Sequence, residues 1–196
     1  IPPDTNWRNL SFTTGTGWQT DPSLPCSSSS SSLLAIAARK TFTVFDKTKL
    51  LQGVLNINYD DGYVVYINGV EISRSNLGTT GVRPLWNEGA RDKHDVVASN
   101  IRPDSVFLPY NLLQQVLVNG TNVIAIEAHT QVGSSDVSAA AYLFVGVDTT
   151  ATICSTNSFP TWFTTPTHDY VNANFKLSRS GETVYLSNNA GYLEDS

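Results

Sequence analysis

Charge is scarce in this chain. Asp, Glu, Lys and Arg make up 15% of its 196 residues, and the 12 cations are outnumbered by 17 acids, for a net charge of -5. Nucleic-acid binding needs clustered cations that displace counterions from phosphates, so nucleic acid is excluded as a partner. Docking on anionic membranes is excluded for the same reason. No apolar run approaches the roughly 20 residues that a spanning helix needs, so no membrane insertion is expected. Methionine is absent, and the chain begins Ile1-Pro2-Pro3. That is not a translation start, so we expect a mature product after signal removal or a piece of a longer protein. Catalytic signatures are also missing. The three histidines, His94, His129 and His168, fall in different segments, and there is no GxSxG, HExxH or P-loop. No enzyme is expected.

What is present is hydroxyl and β-former. The chain holds 21 Ser and 21 Thr, with two cysteines, Cys26 and Cys154. This composition suits an extracellular or cell-surface protein, in which the two cysteines are expected to pair rather than stay free. Val54 to Asp60 alternates Leu55, Ile57 and Tyr59 on one face with Asn56, Asn58 and Asp60 on the other, the mark of a half-buried strand. Asp61-Gly62 reads as a tight hairpin turn, Tyr63–Ile67 as the return strand, and Asn68-Gly69 as a second hairpin turn before Val70–Ile72. These three strands are expected to form a meander. Lys40–Phe45, Asn122–Thr130 and Ala139–Val147 read as further strands. A short helix is expected over 109–117, capped by Asn111 and ended by Asn119-Gly120. Two segments read as loops. Asp21–Ser32 carries six consecutive serines, flexible unless its backbone is captured. Asn76–Asn100 is long enough that function or disorder is expected.

The pieces RKTFTV (39–44), NYDDGYVVYINGVEI (58–72), NVIAIEAH (122–129) and SSD (134–136) resemble a galactose-binding-like jelly-roll module. Such modules occur in large secreted bacterial proteins. Trp7 and Trp18 suit the opening strands of that family and are expected in the core. The last 23 residues, NFKLSRSGETVYLSNNAGYLEDS, resemble the second half of a lamin-tail, immunoglobulin-like domain. The expected architecture is therefore all-β: an antiparallel jelly-roll β-sandwich over 1–154, with a small C-terminal β-appendage, a partial lamin-tail-like unit, over 155–196.

Sugar recognition needs an aromatic ring for the apolar sugar face and planar polar groups for the hydroxyls. Trp86 is the best candidate for the ring, with Arg83, Asn87, Glu88, Arg91 and Asp92 around it. The alternative is that Trp86 plugs the end of the sandwich. Asp60 and Asp61 offer a weak Ca²⁺ site, for which about six or more oxygens are needed. The simpler reading is a turn carboxylate that accepts amide hydrogen bonds, and no cofactor is otherwise expected. Asn56 and Asn58 would form a polar strip with Glu127, His129 and Asp136 if their strands are neighbours. Glu127 and His129 either fix sheet geometry or line a ligand groove. Two functions follow. One is a non-catalytic extracellular binding or adhesion module that takes a polysaccharide or surface glycan. The other is a structural subunit that self-associates into a filament by strand-edge pairing. For the second, Trp162, Phe163, Phe175, Leu177 and Tyr185 are the candidate assembly residues, since a partial domain leaves strand edges open.

Overall fold

The computed structural model describes residues 5–19, 26–28, 33–94, 104–134, 136–148, 186–187 and 193–195, the backbone alone for 26–28, 186–187 and 193–195. The chain divides into two compact units, Ile1–Ile153 and Cys154–Ser196.

Among the described residues the first unit is an antiparallel β-sandwich of eight strands. They are β1 (Cys26–Ser28), β2 (Ala35–Val44), β3 (Leu50–Asp60), β4 (Gly62–Ile67), β5 (Val70–Ser75), β6 (Asp104–Leu108), β7 (Gly120–His129) and β8 (Val137–Val147). One sheet has the order β1-β8-β3-β6 and the other β2-β7-β4-β5. Apart from the β4–β5 pair, successive strands change sheet, which is the jelly-roll arrangement of two interlocked Greek keys. The alternation in β3 does what its pattern dictates. Leu55, Ile57 and Tyr59 enter the core with Tyr63, Val65 and Ile67 of β4, Ala128 of β7 and Val137 and Ala139 of β8. Helix α1 (Tyr110–Val116) adds Leu113 and Val116 to that core.

Strand β4 is buried at every position. Its odd residues face the core, and Val64 and Tyr66 face a second apolar layer outside the sheet, where Trp7, Leu77 and Ala125 pack with Phe12 and Trp18. The Trp7 ring lies 6.0 Å from Trp18 and 6.4 Å from Tyr66, edge to face with the latter. Arg39 fixes the N-terminal segment there by donating to the carbonyls of Phe12 (3.3 Å) and Asn9 (3.2 Å). Burying Tyr66 in this layer raises its phenol pKa, mainly by desolvation.

Several expectations change. Asp61-Gly62 is not a hairpin turn, because β3 and β4 belong to different sheets and the chain crosses between layers there. The DG pair signals a change of direction, and pattern alone does not say whether the next strand stays in the sheet. Asn68-Gly69 is a hairpin turn. Both residues have positive φ, 50° and 86°, as a type I′ turn requires, and β4 pairs with β5 across it. Helix α1 has Pro109 at its N-cap with no side-chain cap bond, so Asn111 does not cap it. The sheet-edge strand β6 falls between the two segments read as loop and helix. Part of the serine tract is captured: Cys26, Ser27 and Ser28 pair with Ala139, Ser138 and Val137.

Asn122, at the start of β7, is fully buried. It accepts from the Val118 amide (2.9 Å) and from Asn68 Nδ2 (2.7 Å). It donates to the carbonyls of Val118 (2.8 Å) and Gly120 (3.0 Å). It therefore ties the segment after α1 to the β4–β5 turn. Among the described residues no helix is long and apolar enough to cross a membrane.

In the second unit β9 (Leu186–Ser187) and β10 (Leu193–Asp195) pair antiparallel. Trp162, Phe163, Phe175, Leu177 and Tyr185, the side chain of Cys26 and all of Cys154 lie outside the described residues.

Candidate functional site

The site grows from the point where the chain changes sheet. The Asp60–Asp61 peptide there is cis. Gly62 follows because a Cβ at this position would lie 2.9 Å from the Asn76 carbonyl oxygen and 3.1 Å from Ala90 Cβ. Only glycine lets the long loop after β5 lie this close. Asp61 is fully buried, and its carboxylate gathers three segments. Oδ1 accepts from the His94 amide (2.6 Å). Oδ2 accepts from the Gln131 amide (2.7 Å) and the Thr130 hydroxyl (3.2 Å). Burial alone would raise the Asp61 pKa, but the hydrogen bonds from Gln131, His94, Thr130 and Asp60 outweigh it and hold the carboxyl below its ordinary value. Both oxygens thus face donors. A Ca²⁺ ion would compete with N–H groups for the same lone pairs, and among the described residues no group of three or more His, Cys, Asp or Glu is placed to hold a metal.

The loop over 76–94 is fixed by the same network. Asn76, at φ 55°, donates to the carbonyls of Asp61 (3.0 Å) and Asp92 (2.5 Å) and accepts from the Asp92 amide (3.1 Å). Arg91 donates its amide to the Asn76 carbonyl (3.0 Å) and its guanidinium to the Gly78 carbonyl. Ala90 forms a parallel bridge with Gln131 and donates to the Thr130 carbonyl at 3.0 Å. Between these anchors the chain makes a turn from Leu85 to Glu88. The Glu88 amide donates to the Leu85 carbonyl (2.8 Å), and Glu88 Oε2 accepts from the Leu85 amide (3.1 Å). Trp86 and Asn87 occupy its tip. Trp86 is 58% exposed, so it does not plug the sandwich.

Beneath this turn lies a buried ion-pair geometry. His129 and Glu127 are almost wholly buried, with His129 Nε2 3.3 Å from Glu127 Oε1. His129 Nδ1 lies 2.5 Å from the Glu88 carbonyl oxygen, which can only accept. Nδ1 therefore carries a proton. His129 thereby holds the Glu88 carbonyl at the base of the Trp86 turn.

The structure brings some candidates together and separates others. Trp86, Asn87, Arg91 and Asp92 are exposed on one loop, and Arg83 is half-buried in it. Glu88 spends its carboxylate on closing the turn. Asn56 and Asn58 lie on the outer face of the first sheet, whereas Glu127 and His129 lie on the outer face of the second, so no continuous polar strip exists. Asp136 is exposed between β7 and β8 and accepts from the Ser134 hydroxyl at 3.4 Å. Beside the Trp86 loop is a shallow cavity of about 310 Å³ between Arg74 and Arg91, floored by Ser75–Thr80. Arg74 was not among the candidates. Glu71 holds it through two bonds of 3.0 and 2.9 Å, and Arg74 in turn lowers the Glu71 pKa. An i,i+3 Glu-Arg pair in the sequence is the one sign that could have marked it.

Fold and site define an all-β jelly-roll module with an aromatic loop held over a buried polar network. No protein-family model and no curated protein matches the chain. Among solved structures it is similar to the Streptomyces avermitilis alpha-L-rhamnosidase complexed with L-rhamnose, at 18% identity and a TM-score of 0.38. The match covers 59% of this chain and 9% of that one.

Proposed function

We propose that the chain is a non-catalytic, extracellular binding module that takes carbohydrate at the loop end of its sandwich. The observation that carries this reading is Trp86: an exposed indole at the tip of a turn closed by two bonds between Leu85 and Glu88. A ring presented on a fixed platform loses little conformational entropy when a sugar face stacks on it. Asn87 beside it supplies planar hydrogen-bonding groups, and the hydroxyls and guanidinium around the Arg91 cavity supply more. Asp61, Glu127 and His129 act as scaffolding for that platform, which is why the reading is non-catalytic. A glycan array probed with the full chain and with Trp86→Ala tests it. Binding that disappears in the variant is expected. Binding indifferent to the substitution removes the site.

A second reading, self-association through strand edges, is supported by the antiparallel pairing of β9 with β10 among the described residues, since strand edges can take up further strands. Light scattering of the full chain at high concentration tests it, with a strictly monomeric mass as the opposing result.

A further inference from the structure

The outer face of the first sheet carries a second feature. Val54 of β3 pairs with Phe107 of β6 on one side and with Phe144 of β8 on the other. The three side chains therefore stand in one line across three strands. Phe107 and Phe144 are 58% and 56% exposed. By strand spacing their positions lie about 10 Å apart. The next line is Tyr142–Asn56–Ser105, with the Ser105 hydroxyl donating to Asn56 Oδ1 at 2.8 Å. That bond orients the Asn56 amide. The outward positions of these strands, 52, 54, 56 and 58 in β3, 105 and 107 in β6, and 138 to 146 in β8, hold no charged residue.

We infer that this face is a second carbohydrate site, distinct from the Trp86 loop, for an uncharged polysaccharide chain laid across β6, β3 and β8. Two rings separated by about two strand spacings suit the apolar faces of sugars at either end of a short stretch of chain. Amides and hydroxyls between them, Asn56, Ser105 and Tyr142, suit its hydroxyls. The absence of charge fits a neutral ligand and offers nothing to uronates or sulfates. Area argues against a second copy of the chain. The three partly exposed aromatic rings offer roughly 300 Å², whereas a stable protein interface takes about 800 Å² from each partner. Two copies of net charge -5 would also repel. The inference stands on residues separate from Trp86.

Native affinity electrophoresis of the full chain tests it, in gels containing hydroxyethyl cellulose, xyloglucan, galactomannan, alginate or polygalacturonate. Retardation is expected in at least one neutral gel and in neither acidic one. Phe107→Gln with Phe144→Gln should weaken that retardation at least tenfold, while Trp86→Ala leaves it in place. Asn56→Ala, which keeps both rings, should weaken it severalfold and guards against misfolding of the double variant. Retardation in no neutral gel, retardation by acidic polymers alone, or retardation unchanged by both sets of substitutions overturns the inference. So does a concentration-dependent dimer that Phe144→Gln dissolves, since the face would then belong to a second copy.

Discussion

Replacing Asp61 by Ala is the sharpest test of how the loop platform is held. The carboxylate is fully buried and accepts from the His94 amide, the Gln131 amide and the Thr130 hydroxyl. Hydrogen bonds to a charged acceptor are worth about 1.5–3 kcal/mol each, and orphaned buried donors carry a comparable penalty. The three bonds share one acceptor, so they do not add fully. Thr130 keeps a bond to the Gln131 carbonyl at 3.3 Å, and half-buried His94 can turn to water. We therefore expect a loss of about 3–5 kcal/mol, which is roughly 10 °C in Tm for a unit of this size. Urea unfolding followed by tryptophan fluorescence reads it. Asp61→Asn gives a second handle. The folded-state pKa of Asp61 lies below its unfolded value, so its stabilisation is fully present above pH of about 4–5 and is lost as pH falls through the folded pKa. The stability gap between wild type and Asp61→Asn should therefore narrow as pH drops below about 4. A loss under about 1 kcal/mol for Asp61→Ala, or a gap to Asp61→Asn that ignores pH, would refute the reasoning.

Other expectations follow from the same geometry. Trp7→Ala removes a fully buried ring from the layer over the second sheet and should cost about 3–5 kcal/mol by chemical denaturation, with near-native losses contradicting that packing. EDTA should leave the melting temperature unchanged, because Asp61 already faces donors on both oxygens; a fall of several degrees would restore the calcium reading. Asn122→Ala should destabilise by about 2–4 kcal/mol, since it strands the Val118 amide and removes one of the two acceptors of the Asn68 amide group, which keeps the Val116 carbonyl.

Much of the fold is legible in the sequence because strand burial leaves a period of two. Leu55, Ile57 and Tyr59 mark the inner face of β3 directly, and Asn68-Gly69 marks its turn because few other pairs tolerate two positive φ angles. Layer assignment is not legible. The Asp61-Gly62 pair looks like a hairpin, and what decides otherwise is contact with Asn76, Ala90 and Gln131, from 14 to 70 positions away in the chain. Short edge strands such as β6 leave the weakest pattern, since one face of an edge meets water. In the site, Trp86 stands out as an aromatic among turn residues, so its loop is readable. The supports are not. Glu88 looks like a ligand-binding carboxylate and instead closes its own turn, and the Glu88 carbonyl that meets His129 Nδ1 comes from too far along the chain to be read from the pattern.

The proposed function stands or falls with Trp86. The most direct measurement is a ¹H–¹⁵N spectrum of the full chain titrated with the glycan captured on the array, following the indole N–H signals. Trp86 should shift on binding while Trp7, which is buried, stays still. A bound glycan that leaves the Trp86 indole unmoved would contradict the account.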